Sequence, residues 1–183
     1  MMKMFEGELL ENRVIIWDKE ARSLYEEYGY GKPEDDYLEL SLVEAAYLMK
    51  KRKLKVFVKE DGKKKWLKFN DFYRIAVKVE PEFHQKFIVY SDLRKRGFVV
   101  KTGFKFGAHF RVYEKGVRIK RGPKAPFEHT KWVVHAIKEE DRFSYPELSR
   151  AVRLAQNIRA KMLWAVVDSE NDVTYYQVTR IKL

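Results

Sequence analysis

Three side chains in the second half of this 183-residue sequence have the types needed for acid–base chemistry at a phosphate: Tyr113, His129 and Lys161. An imidazole titrates near pH 6.5 and so moves a proton close to neutrality. An ammonium is a compact positive charge that offsets charge building on a phosphoryl group. A phenol titrates near 10 and is a poor base unless a neighbouring cation favours the phenolate. A base for an attacking 2′-hydroxyl, an acid for a departing 5′-oxygen and a cation for the pentavalent phosphate would together cut RNA without a metal. Spacings of 16 and 32 residues form no motif by themselves. Each residue alone also has an ordinary reading: an amphipathic surface Tyr, a polar loop-end His, a Lys snorkelling to water.

The elements that must position these groups are legible around them. A strand over 109–114 puts His109, Arg111 and Tyr113 on one face and Phe110 and Val112 on the other, which predicts that Tyr113 faces solvent or substrate. His129 ends a loop over 115–128, rich in Lys, Arg, Gly and Pro, and opens an apolar strand over 130–137. Lys161 stands between the helix ELSRAVRLAQNIRA, with Pro146 in its first turn, and the apolar strand MLWAVVD. His135 belongs in or near the core. His84 and His109 have no partner at metal-ligand spacing, so no metal site is expected.

Upstream, GELLENRVIIWD reads as a hairpin turning near Glu11-Asn12. Asp18 caps the helix KEARSLYEEY, which ends at Gly29, and YGYGKPEDD reads as a turn-rich connector. Ser41 caps LVEAAYLMKKRK, with Leu42, Ala45, Ala46 and Met49 on one face. LKVFV is a strand, and WLKFNDFYRIAVKV runs from strand into a helix capped near Asn70. Pro81 marks a boundary, after which a helix carries Phe83, Phe87, Tyr90 and Leu93 to a stop at Gly97. Strands follow at 98–102 and 104–107, and two strands, MLWAVVD and VTYYQVTRI, close the chain around the loop SEN. Strands followed by helices in both halves predict an α/β (α+β) chain. Its parts are a small mixed domain over 1–82 and a domain over 83–183 with a central mixed sheet flanked by helices.

Composition narrows the function classes. With 45% hydrophobic and 36% charged residues the chain is too apolar to be disordered. No apolar run approaches a membrane span and the N-terminus lacks a signal-peptide core, so a cytoplasmic protein is expected. The absence of cysteine removes disulfides, thiol catalysis and thiolate zinc sites, and with abundant Lys, Arg and Glu it fits selection for heat. The net charge of +11 is unevenly placed. Residues 1–82 hold 17 basic and 17 acidic residues, whereas 83–183 hold 21 and 10. A basic surface confined to one half points to a polyanion, most simply nucleic acid.

One run ties these signals together. Gly97-Phe98-Val99-Val100, Thr102-Gly103, Lys105-Phe106-Gly107 and Tyr113 follow in order, then His129 before an apolar strand, and Lys161 between an Arg-rich helix and an apolar strand. In this the chain resembles the archaeal tRNA-splicing endonucleases, strongly over 83–183 and by layout over 1–82. The resemblance implies an enzyme that excises introns from precursor tRNA at bulge-helix-bulge sites. It needs no metal or other cofactor, and leaves 2′,3′-cyclic phosphate and 5′-hydroxyl ends. Tyr113 would be the base or orienting group, His129 the acid and Lys161 the transition-state cation.

The resemblance further implies that Arg153 and Arg180 clamp a bulged base, Arg150 and Arg159 competing with Arg153. The acidic loop bearing Asp168, Glu170 and Asp172 would dock into a neighbouring subunit. Two bulges and one active site per chain imply a tetramer, of identical chains or with a related subunit. A non-catalytic RNA-binding or assembly subunit is the alternative. The basic loop after Tyr113 is longer than in compact relatives and reads as a phosphate contact or a surface loop.

Overall fold

The structure is a computed structural model and describes residues 3–102, 108–119, 128–181 and 183. It divides into two compact units, Met1–Phe87 and Ile88–Leu183, the division falling within a helix. Among the described residues no helix is long and apolar enough to cross a membrane.

In the first unit β1 (Phe5–Leu10) and β2 (Arg13–Ile16) form the expected hairpin, with Glu11 in the left-handed region at φ 50°. Asp18 caps as expected, its carboxylate accepting from the Glu20 amide. The chain first makes a 3-10 turn over Lys19–Ala21 and only then enters α1 (Arg22–Tyr28), which Gly29 ends at φ 72°. The connector hides a short strand, β3 (Lys32–Pro33), paired with β4 (Leu38–Ser41). Alternation over two residues is too short to register in sequence. Ser41 and Glu44 form a full capping box on α2 (Leu42–Lys50). That helix is buried from Leu42 to Leu48, with Met49 only half-buried, so the single apolar face expected is instead a helix enclosed on every side.

β5 (Leu54–Glu60) and β6 (Lys63–Leu67) follow, then α3 (Phe69–Val79). The cap of α3 is Lys68, with no side-chain hydrogen bond, and Asn70 sits inside the first turn. The sheet order is β3-β4-β2-β1-β5-β6, mixed because β1 and β5 run parallel. α4 (Phe83–Lys95) opens with Phe83 and Phe87 packed against Tyr73 and ends before Gly97, whose φ of 91° turns the chain into β7.

The second unit is the sheet β11-β10-β9-β8-β7. Its strands are β7 (Phe98–Thr102), β8 (Phe110–Lys115), β9 (Trp132–Lys138), β10 (Lys161–Val167) and β11 (Val173–Val178). β9 and β10 are parallel, which requires a crossover, and α5 (Tyr145–Asn157) supplies it. Ser144 caps α5 with Glu147, and Pro146 lies in its first turn. Val133, Met162 and Trp164 pack with Ala151, Val152 and Ala155 of α5 on one face. Tyr90 of α4 packs on Phe110 of the other, at 5.6 Å between ring centroids. Tyr175 of β11 donates to Asp92 of α4 at 2.7 Å on that same side. The expected strand at 104–107, Gly103 and the centre of the basic loop lie outside the described residues.

Candidate active site

The pairing register assembles the site from three neighbouring strands. Val112 lies opposite Trp132, and Trp132 lies opposite Lys161. The Lys131 amide donates to the Val112 carbonyl, and the Lys161 amide donates to the Lys131 carbonyl, both at 2.9 Å. The C-terminal end of β8 and the N-terminal ends of β9 and β10 therefore meet at one end of the sheet. Tyr113 lies two residues before the end of the first of these, Lys161 opens the last, and His129 stands three residues ahead of Trp132, which opens the second.

Directly opposed residues share a face, so Lys161 leaves the sheet on the side of Trp132 and Val112, and Tyr113 on the side of Arg111 and Val133. The two side chains thus approach the end of β9 from opposite sides. Strand spacing puts their backbones roughly 10 Å apart across β9.

Tyr113 is not exposed, contrary to the amphipathic reading of its strand. It is 2% accessible and packs with Val99, Val117 and Ile119. Gly116, at φ 73°, turns the chain after β8, and Val117 packs back over the phenol. Strand alternation in sequence cannot show that the following loop covers the second face. The apolar pair Val117 and Ile119 inside an otherwise basic loop was the available signal.

Lys161 and His129 are exposed. The other three histidines are engaged. His84 Nδ1 lies 2.6 Å from the Tyr73 hydroxyl. His109 Nδ1 accepts from the Ala136 amide at 2.8 Å, which fixes that nitrogen as unprotonated. His135 stacks on Trp164 at 5.1 Å, half-buried as its apolar strand suggested. His129 is therefore the one exposed histidine of the four.

Sequence reasoning missed the groups between the three. Lys131 forms an ion pair with Glu114, and its ammonium lies 4.4 Å from the centre of the Trp132 ring. Phe98 meets Trp132 edge-on at 5.4 Å, and Lys115 lies 5.2 Å over Phe98. Adjacent cations and aromatics on different strands leave no periodic trace in sequence.

Of the remaining predicted residues, Arg180 follows β11 at the end where Lys161 opens β10, since Met162 lies opposite Val178, whereas the acidic loop joins the opposite ends of those two strands. Arg153 is exposed on α5, as are Arg150 and Arg159, so exposure does not distinguish among them. Arg180 is exposed beyond β11. In the acidic loop Asp168 braces the turn from within, because its Oδ1 accepts from the amides of Glu170 and Asp172, both at 2.9 Å. Ser169 N–H donates to Glu139 at 2.9 Å, which holds the loop against the end of β9. Glu170 and Asp172 are exposed on the frame so formed. Among the described residues no three His, Cys, Asp or Glu side chains gather as a metal site would require.

Residues 83–175 match the family described as tRNA intron endonuclease, catalytic C-terminal domain, and residues 5–73 match its N-terminal domain. The chain belongs to the tRNA intron endonuclease family. A tRNA-splicing endonuclease of Pyrococcus horikoshii is 39% identical over 183 residues, covering 100% of this chain and 99% of that protein. One from Thermococcus onnurineus is 39% identical over 165 residues, covering 90% and 89%. A third, from Methanococcoides burtonii, is 41% identical over 180 residues, which cover 97% of this chain and 49% of that protein. The chain thus spans about half the length of that last relative and nearly all of the Pyrococcus one. Tyr113, His129 and Lys161 all lie inside the match to the family's catalytic domain.

Proposed function

We propose that this chain is a catalytic subunit of a tRNA-splicing endonuclease that cuts precursor tRNA at bulge-helix-bulge sites. The observation that carries this reading is the meeting of Tyr113, His129 and Lys161 at one end of β8, β9 and β10. The scissile phosphate sits off the end of β9, where side chains from both sides of the sheet reach it. Tyr113 takes or orients the proton of the 2′-hydroxyl, and the 2′-oxygen attacks phosphorus. The bond to the 5′-oxygen breaks, His129 protonates that oxygen, and Lys161 offsets the charge of the pentavalent phosphate. The products are a 2′,3′-cyclic phosphate and a 5′-hydroxyl. Base, acid and cation are all side chains, so no metal is required.

Residues 83–183 form the catalytic part and 1–82 serve structure and assembly. Arg153 and Arg180 hold a bulged base. Glu170 and Asp172, on the frame that Asp168 builds, dock on a neighbouring subunit of a homotetramer acting in the cytoplasm. The burial of Tyr113 favours a second reading, a non-catalytic RNA-binding subunit that depends on a catalytic relative. Incubating the pure chain with intron-containing precursor in excess EDTA separates the two. Cleavage with cyclic-phosphate ends, lost in Tyr113→Phe, His129→Ala and Lys161→Ala, supports the first. Binding without cleavage supports the second, and cleavage abolished by EDTA overturns the proposed chemistry.

A further inference from the structure

We propose that Trp132 is the surface on which an unpaired base of the substrate stacks beside the cut, and so a specificity-determining residue of this site. The inference rests on the endonuclease reading above. Trp132 opens β9 at the end of the sheet where Tyr113, His129 and Lys161 meet, and it shares a face with Lys161 through their direct pairing. It is half-buried, unlike Val134, two residues further along the same face, which is fully covered. Phe98 braces its ring at 5.4 Å with an interplanar angle of 85°, so the indole is held in a fixed orientation.

The surroundings select for a nucleotide over an apolar ligand. Lys131 lies 4.4 Å from the indole centre, Lys115 lies 5.2 Å from the Phe98 centre, and exposed Lys161 stands on the next strand. Glu114 pairs with Lys131 among them. A half-exposed aromatic with one ammonium against it and two more lysines on the neighbouring strands offers a π-face to a base and cations to its phosphate. Every base has a π-face, so stacking discriminates paired from unpaired nucleotides with little preference for sequence. Lys131 lies over one face of the ring and contributes through its charge, so the base stacks on the other face.

The test combines protein variants with substrates that lack single bases. Bulge-helix-bulge RNAs carrying an abasic residue at each bulge position in turn are cut by wild type, Trp132→Phe and Trp132→Leu, and KM and kcat are measured separately. Stacking on one aromatic residue corresponds to about a tenfold to hundredfold effect. Trp132→Leu is expected to raise KM by that factor, with kcat changed far less, and Trp132→Phe to recover most of it. One abasic position should raise KM for wild type by a similar factor and add nothing to the loss in Trp132→Leu.

Additive losses, or a Trp132→Leu enzyme equal to wild type, overturn the proposal. A change in sedimentation without a change in abasic sensitivity also overturns it and makes this face a contact between subunits. If Trp132→Leu does not fold, the wild-type series decides alone, since indifference to every abasic position rules the stacking out. Failure of wild type to cut the intact RNA sinks the endonuclease reading, a distinct outcome.

Discussion

The two units are built alike and charged differently. Each is a mixed sheet with one parallel pair of strands and helices packed on it. In the first unit the lysines meet carboxylates: Lys59 pairs with the buried Glu8 at 3.1 Å, Lys64 with Glu6 at 2.8 Å and Lys65 with Glu60 at 2.9 Å. In the second, Arg153, Lys161 and Arg180 are exposed with no carboxylate partner among the described residues. Surface pairs of this kind add little stability, about 0–1 kcal/mol each. Their consequence is that the first unit presents little net charge to a polyanion. The same architecture is therefore charged differently in the two halves, and the pairing of charges separates them.

The contrast can be broken in four ways, the largest effect first. Lys161→Ala is expected to lower kcat for RNA cleavage about 10²–10³-fold, whereas Lys64→Ala should stay within about twofold, as is usual for an exposed ion pair. Equal losses in a single-turnover assay would end the distinction.

Glu44 in the first unit is buried, and its carboxylate accepts from the Gly31 amide, the Ser41 amide and the Ser41 hydroxyl at 2.9, 3.0 and 2.8 Å. Glu44→Ala is expected to cost about 2–4 kcal/mol by denaturant unfolding, because it strands two amides and removes half of a capping box. Activity of the folded fraction should remain, and a proportionate loss of specific activity would argue that the first unit shares in the chemistry.

Salt dependence reads the contrast directly. Arg153→Ala should reduce the slope of log affinity against log salt by about 1, and Lys59→Ala should leave it unchanged. Identical slopes for all three proteins would place the RNA elsewhere.

The smallest effect concerns the latch from β11 to α4. Burial, and then the hydrogen bond to Asp92, push the Tyr175 phenol above its ordinary pKa of 10. The folded state thus favours the neutral phenol. This contribution is complete below pH 10 and is lost as pH rises beyond it, because the unfolded chain ionises first. Tyr175→Phe should cost about 1 kcal/mol near neutrality and flatten the fall in stability above pH 10. An unchanged alkaline slope in thermal melts would show that the latch does not govern it.

Much of the fold was legible because local signals agreed with it. The hairpin at Glu11, the capping box at Ser41 and the proline in the first turn of α5 are chemistry among near neighbours. The misses were cases in which distant chain overrode local preference. α2 is enclosed on all sides, β3 forms because β4 is there to pair with it, and Lys68 begins α3 without a side-chain cap. Of the candidate site, His129 and Lys161 were legible as polar groups at strand junctions, and both stand at the start of a strand or just ahead of one. The burial of Tyr113 was not, because Val117 covers it from the loop.

The sequence by itself determined the residue types available for chemistry, the separation of a neutral half from a basic half, and most element boundaries. These depend on composition and on contacts a few residues apart. Only the tertiary structure decided that the ends of β8, β9 and β10 coincide. It also set Tyr113 and Lys161 on opposite sides of the sheet and placed Lys131 against Trp132. The physical reason is strand register, which is set by hydrogen bonds between segments far apart in the chain. A shift of one residue would exchange the two faces.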